Sequence, residues 1–194
     1  MNLQHTMALK RLFHIVNNGG KYLNKQIFVI NGSGGVGKDT FVKLVSDELN
    51  DIMKRFHTVV NFSSIDRVKE IARYIGWNGE KTEKDRKFLS DLKSLSSNYC
   101  DMPFKSMKNK VSEFLENKEN IILFLHIREP YEIARAVEEF KAKTILIVRD
   151  SVNQITSNIS DKNVFNYNYD YIIYNNKNLL DLRIEAKNLL HKIS

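Results

Sequence analysis

From Gln26 to Thr40 the chain reads QIFVINGSGGVGKDT. A short apolar, β-branched run is stopped by glycine, and four glycines then follow within six positions, at 32, 34, 35 and 37. Lys38 opens a segment that sets Phe41, Val42, Leu44, Val45 and Leu49 on one helical face. A strand that feeds a helix through so many glycines constrains the fold more than any other feature of the chain. An apolar run without polar alternation is a strand buried on both faces, which belongs in a parallel sheet covered by helices.

The rest of the chain continues the alternation. HTVVNF reads as a second strand and SIDRVKEIARYIG as a helix, with Ser64 a suitable N-cap. Between Trp77 and Lys118 no strand candidate occurs; EKDRKFLSDLKSLSSNY and PFKSMKNKVSEFLEN read as two helices, with Pro103 in the first turn of the second. Strand NIILFLHI, helix YEIARAVEEF and strand KTILIVR follow. An irregular polar stretch, Asp150 to Asn168, then leads to strand DYIIYN and helix NLLDLRIEAKNLL. The expected fold is a single α/β domain over residues 1–194: a three-layer α/β/α sandwich around a mainly parallel five-stranded sheet. Residues 77–118 form a helical insertion in this reading, and 150–168 a lid-like segment. At the N-terminus, Leu3, Met7, Lys10 and His14 follow helical spacing up to Gly19-Gly20. An extra helix packed on the domain is expected there, although a basic stretch without acids also imitates a targeting presequence.

The glycines satisfy two phosphate-binding patterns. Gly32, Gly34 and Gly37 fit the dinucleotide fingerprint, G-x-G-x-x-G; Gly32, Gly37 and Lys38 fit the P-loop, G-x-x-x-x-G-K-[ST], with Asp39 in its last slot. The dinucleotide pattern also needs an acid at the end of the second strand to hold ribose hydroxyls. That strand ends NFSS, and the nearest acid, Asp66, falls inside the next helix. A lysine after the last glycine is what a P-loop needs to reach the β- and γ-phosphates. The P-loop is therefore the reading, with Gly32, Ser33, Gly34, Gly35, Val36, Gly37, Lys38, Asp39 and Thr40 as the ATP-binding stretch.

A net charge of +7 suits an anionic partner, and the basic residues are scattered rather than clustered, so no nucleic-acid partner is expected. Cys100 is the only cysteine, which excludes a disulfide framework and a cysteine-rich zinc site and suggests a reducing cytoplasm. No apolar run approaches the roughly 20 residues of a membrane span.

GSGGVGKDT resembles the P-loop of phage-type deoxynucleoside monophosphate kinases and of animal-type phosphomevalonate kinases. FLHIREPYEIARAVEEFKAKTILIVRD and NYDYIIYNNKNLLDL are similar to the later strands, strand-end arginines and final helix of those families, and KDRKFLSDLKSL to a middle helix with a substrate-side arginine. The resemblance implies ATP as co-substrate, Mg²⁺ as cofactor and a small phosphorylated acceptor, foremost a (deoxy)nucleoside monophosphate. It also implies that Arg128 and Arg149 face the phosphoryl groups beside Lys38 and that Arg86 serves the acceptor; the segment from Ser63 to Arg73, with Ser63, Asp66 and Arg67, is the further expected acceptor side. Two departures stand out. His126 occupies the place of an acid that helps hold Mg²⁺, and after Arg149 the lid-like stretch offers only Lys162. Imidazole is a poor magnesium ligand, so Asp39 and Thr40 are the candidate metal ligands.

Tyr74, Trp77 and Tyr99 could stack on a base or belong to the core. Two other readings remain: a kinase of another phosphorylated metabolite, and a nucleotide-binding regulator with weak or no catalysis. A GTPase would need an N/T-K-x-D motif, which the chain lacks.

Overall fold

A computed structural model describes residues 25–54, 58–152 and 163–193. In chain order the elements are β1 (Gln26–Asn31), α1 (Lys38–Met53), β2 (Val59–Ser63), α2 (Asp66–Ile75), α3 (Glu83–Cys100), α4 (Met102–Glu116), β3 (Ile122–His126), α5 (Pro130–Phe140), β4 (Lys143–Val148), a 3-10 turn (Asn163–Phe165), β5 (Tyr171–Tyr174) and α6 (Leu179–Ile193). The N-terminal helix expected over residues 1–20 and most of the lid-like stretch lie outside the described residues.

The five strands form one parallel sheet in the order β2-β3-β1-β4-β5. Apolar runs at β1, β3 and β4 become central strands because each face of the sheet has its own helices. Phe28 and Ile30 point with Phe124, Ile145 and Ile147 into a core closed by α1 and α6. Ile27 and Val29 point the other way, with Leu123 and Leu125, into a core closed by α4 and α5. The result is an α/β/α sandwich, as the sequence implies. A smaller apolar cluster, Val68, Ala72 and Leu89 with Ile65, Trp77 and Phe88 against it, seats α2 on α3.

The strand order fixes where a ligand can bind. From β1 the chain moves to one side, to β2, and returns through β3 at β1's flank; it then crosses β1 to place β4 on the other side. The connections thus part in opposite directions between β3 and β1, and such a switch point leaves a crevice at the carboxyl ends of the strands.

Helix ends correct one expectation. Ser64 does not cap α2: the helix starts at Asp66 after Ile65, with no side-chain cap. The Ser64 amide instead donates to the His126 carbonyl at 3.1 Å, which extends the β2–β3 ladder, and the Asp66 carboxylate accepts from the Ser63 amide at 2.8 Å. By contrast α3 begins with a reciprocal capping box between Thr82 and Asp85, which fixes the entry into the insertion.

The insertion is tied to the sandwich by charge. Lys93 on α3 donates to Glu132 in the first turn of α5 at 2.7 Å, and both side chains are largely buried. Arg135 reaches Asp101 at the α3–α4 junction at 2.7 Å while lying 3.5 Å over the Phe104 ring. Removing one member of a buried pair strands the other charge away from water. Glu132→Ala should therefore lower the free energy of unfolding by about 3 kcal/mol, whereas the apolar pair Lys93→Met with Glu132→Leu should recover most of it. Urea denaturation of the three proteins checks this; equal midpoints for wild type and Glu132→Ala would show that the pair does not hold the insertion.

Candidate phosphate-binding site

β1 delivers the glycine loop to the switch point. At Gly32 the backbone φ is +143°, and a Cβ there would lie 2.5 Å from the Ile147 carbonyl oxygen of β4. The loop can rest on the end of β4 only where no side chain intervenes. The residue before it, Asn31, is fully buried and uses both ends of its amide. Its Oδ1 accepts from the Gly32 amide at 2.8 Å; its Nδ2 donates to the Tyr169 hydroxyl at 2.7 Å and to the Arg128 carbonyl at 3.2 Å. Tyr169 passes the bond on to the Val164 carbonyl at 2.7 Å, and burial raises its phenol to about 12, so it remains a donor.

A second asparagine braces the far side of the loop. Asn175, just past β5, donates its backbone amide to the Val148 carbonyl at 2.7 Å and its Nδ2 to the Val36 carbonyl at 2.8 Å. Gly37 then leads into α1, whose first turn has no side-chain cap. The first amides of α1 are accordingly left for a ligand, as at other helix N-termini that bind anions. The Lys38 ammonium donates to the Gly32 and Ser33 carbonyls at 2.6 and 2.8 Å, so its side chain folds back over the loop.

In front of the loop lies a cleft of about 650 Å³. Gly34, Gly35, Lys38 and Asp39 form one wall; Arg128 and His126 stand at the end of β3; Ser63, Ser64 and Asp66 follow β2. The opposite wall comes from the insertion and carries Lys81, Arg86, Ser90 and Lys93, with Lys69 from α2 beside them. Nothing in the composition announces this wall, but Arg86, Ser90 and Lys93 are spaced four and three apart on α3, so they share one face.

His126 differs from its surroundings. Burial pushes its imidazole down to about 4; Lys38 and Lys69 act in the same direction, while Asp39 and Asp66 oppose them. The ring is thus uncharged at neutral pH. Its Nε2 is buried without a hydrogen-bond partner and stands 3.9 Å from Asp39 Oδ1.

Of the residues expected from the sequence, the structure brings Lys38, Asp39, Ser63, Asp66, Arg86 and Arg128 together around the cleft. Gly32, Ser33, Val36 and Gly37 build the loop behind it. Three do not line it. Arg67 points away and pairs with Glu70 at 2.7 Å beside a separate depression; Arg149 donates from Nε to the Ser151 hydroxyl at 3.2 Å; Thr40 is exposed on α1. The aromatic expectation also changes. Tyr74 and Tyr99 are 95% and 87% exposed, so they are neither core residues nor cleft walls, and Trp77 packs against the α2–α3 cluster. Helix faces explain this: Tyr74 near the end of α2 and Tyr99 near the end of α3 both project to solvent. Asn31, Tyr169, Lys69, Lys81 and Lys93 are the contributors that sequence reasoning missed.

No family model matches the chain, and no curated protein matches it in sequence. Among solved structures it is similar to a shikimate kinase from Aquifex aeolicus, at 15% identity over 86% of this chain and 96% of that one, with a TM-score of 0.46. It is also similar to a thymidylate kinase from Ehrlichia chaffeensis, at 12% identity over 86% and 99% of the two chains, with a TM-score of 0.45. Likenesses this distant leave the function to be read from the cleft itself.

The close approach of Gly32 to β4 is testable. Gly32→Ala should cost more than about 2 kcal/mol of stability, because the methyl meets backbone rather than a flexible side chain. Urea unfolding with the wild-type midpoint would mean that the loop does not sit on β4 as described.

Proposed function

We propose that the chain is an ATP-dependent kinase that transfers the terminal phosphoryl group to a small acceptor already carrying a phosphate. One observation supports this above the others: a glycine-and-lysine phosphate loop faces a wall of cations, Lys69, Lys81, Arg86 and Lys93, across a cleft of about 650 Å³. A cation wall opposite a triphosphate site suits a second anion rather than water.

In this reading the loop amides and the α1 N-terminus hold the β- and γ-phosphates, and Lys38 leaves the Gly32 and Ser33 carbonyls to neutralise them. The acceptor phosphate lies towards Arg86, with Ser63 and the Asp66-held turn below it. An acceptor oxygen attacks the γ-phosphorus as the bond to the β–γ bridging oxygen breaks, and ADP leaves with that electron pair. The acceptor is already an anion, so no general base is needed; positioning and charge neutralisation carry the reaction. Arg128, whose carbonyl is fixed by Asn31 and whose side chain lines the cleft, is the residue best placed to face the moving phosphoryl group.

For the acceptor, a nucleoside monophosphate is the first class to test, as the resemblance implies. A different phosphorylated metabolite is the second reading. It is favoured by the placement of Tyr74, Trp77 and Tyr99 outside the cleft lining, which removes all three of the aromatics that could stack on a base.

ADP release measured with ATP, a divalent cation and a panel of nucleotide and non-nucleotide phosphates tests the proposal. Release that depends on an acceptor is the expected result. Release without one would point to a nucleotide hydrolase, and tight ATP binding without turnover to a regulator. Lys38→Ala should abolish transfer. Arg128→Ala should lower kcat by at least about 100-fold, and Arg149→Ala by less than about tenfold, since only the former lines the cleft. Wild-type turnover in Lys38→Ala would remove the loop from the chemistry.

A further inference from the structure

His126 is not used by phosphoryl transfer as derived above, yet it sits at its centre. The imidazole is largely buried at the end of β3, and Nε2 meets no hydrogen-bond partner. Buried polar atoms in folded proteins are nearly always paired, so an orphan at the floor of a cleft calls for a ligand. Asp39 Oδ1, at 3.9 Å, decides between the two kinds of ligand. A phosphate oxygen at Nε2 would lie against a carboxylate. A cation there would be bound by both groups.

The separation suits such a cation. Metal–nitrogen and metal–oxygen bonds of about 2.0–2.2 Å place neighbouring donors roughly 3.0–3.5 Å apart. The Asp39 side chain is 91% exposed and can rotate by the remaining few tenths of an ångström, while His126 is held by the sheet. No group of three or more His, Cys, Asp and Glu side chains among the described residues could hold a metal. Two protein donors therefore need other oxygens to complete the shell, and a triphosphate on the adjoining loop supplies them.

The donor set does not fit magnesium. Mg²⁺ demands oxygen ligands in near-octahedral order and is reluctant to exchange water for imidazole, whereas nitrogen donors favour the later first-row ions. We propose that Asp39 and His126 form the protein half of a mixed nitrogen–oxygen site, which takes the divalent cation carried by the nucleoside triphosphate and prefers Mn²⁺ or Co²⁺ to Mg²⁺. This rests on the triphosphate reading of the loop.

The test uses the full chain and AMP-PNP, the non-hydrolysable imido analogue of ATP, with each metal at saturating concentration. Calorimetry should give a Kd for the analogue roughly tenfold lower with Mn²⁺ or Co²⁺ than with Mg²⁺. His126→Asp, which makes the pair all-oxygen, should reverse that order. Electron spin echo spectra of the Mn²⁺ complex should show nitrogen modulation typical of a bound imidazole, lost in His126→Asp. Asp39→Asn alters only an exposed side chain, so it serves if the histidine variant does not fold, and it should weaken analogue binding with every metal. Equal affinities with Mg²⁺ and Mn²⁺, or no imidazole signal in the wild type, would overturn the cation assignment and leave the kinase reading intact. Failure of the analogue to bind with any cation would overturn both.

Discussion

The glycine loop can lie across the end of the sheet because Gly32 has no side chain, and much of the candidate site follows from that contact. With a Cβ, residue 32 would meet the Ile147 carbonyl at 2.5 Å, and β1 and β4 could not keep the pairing that runs from Phe28–Lys143 to Asn31–Leu146. A parallel sheet buried on both faces leaves little slack, since each of the three central strands is fixed by two neighbours and two cores. The loop therefore inherits the rigidity of β1, the central strand, and points its amides into the crevice at the switch between β3 and β1.

Polar ties then set the parts of the cleft relative to one another. Asn31 is the hub. One amide group connects the first loop amide, the turn that carries Arg128 and, through Tyr169, the 3-10 turn at Asn163–Phe165. Asn175 does the same from the other edge by joining β4 to the loop at Val36. Because both asparagines are buried, losing one partner would leave the rest of the amide unsatisfied, which is costlier than the bond itself. Dipoles held in this way need not reorganise when charge shifts on a phosphate, and that preorganisation is where a phosphoryl-transfer site gains its rate.

How much of this was legible in the sequence depended on the range of the signal. The apolar runs at β1, β3 and β4 and the glycine–lysine loop speak for themselves, since burial on two faces and left-handed backbone leave residue-level marks. Arg128 and Arg86 line the cleft as expected, but a strand end alone does not decide this: Arg149 follows β4 directly and turns to Ser151 instead. Arg67 does not line it either: on a helix only ten residues long, one position decides whether a side chain meets the cleft or Glu70. Ser64 looked like a cap because its chemistry suits one, but the β2–β3 ladder runs one residue further and takes its amide. Asn31, Tyr169 and Asn175 carry no local mark at all. Their roles arise from contacts across 138 and 139 residues of chain, which no spacing rule reaches.

The two walls of the cleft are built on different principles, and the difference bears on specificity. The loop wall presents backbone amides and one lysine, fixed by the sheet, and in the proposed kinase would read a phosphate by shape. The facing wall presents long cationic side chains from α2, from α3 and from Lys81 just before α3, which would read charge. Of the cations on that wall, Lys93 is committed to Glu132 and mainly holds α3 against α5, so Lys81 and Arg86 are the ones with reach. Charges on flexible stems near solvent give modest, salt-screened attraction and little discrimination of shape. If the proposed transfer holds, selection of one acceptor must come from what lies between the walls. There the apolar side chains of Phe62, Ile65, Leu89 and Ile127 stand beside Asn61, Ser63 and Ser64, a small surface with both apolar and hydrogen-bonding character. An acceptor that fits is one whose phosphate meets the cations while its body, compact and partly apolar, covers that floor and excludes water from the loop.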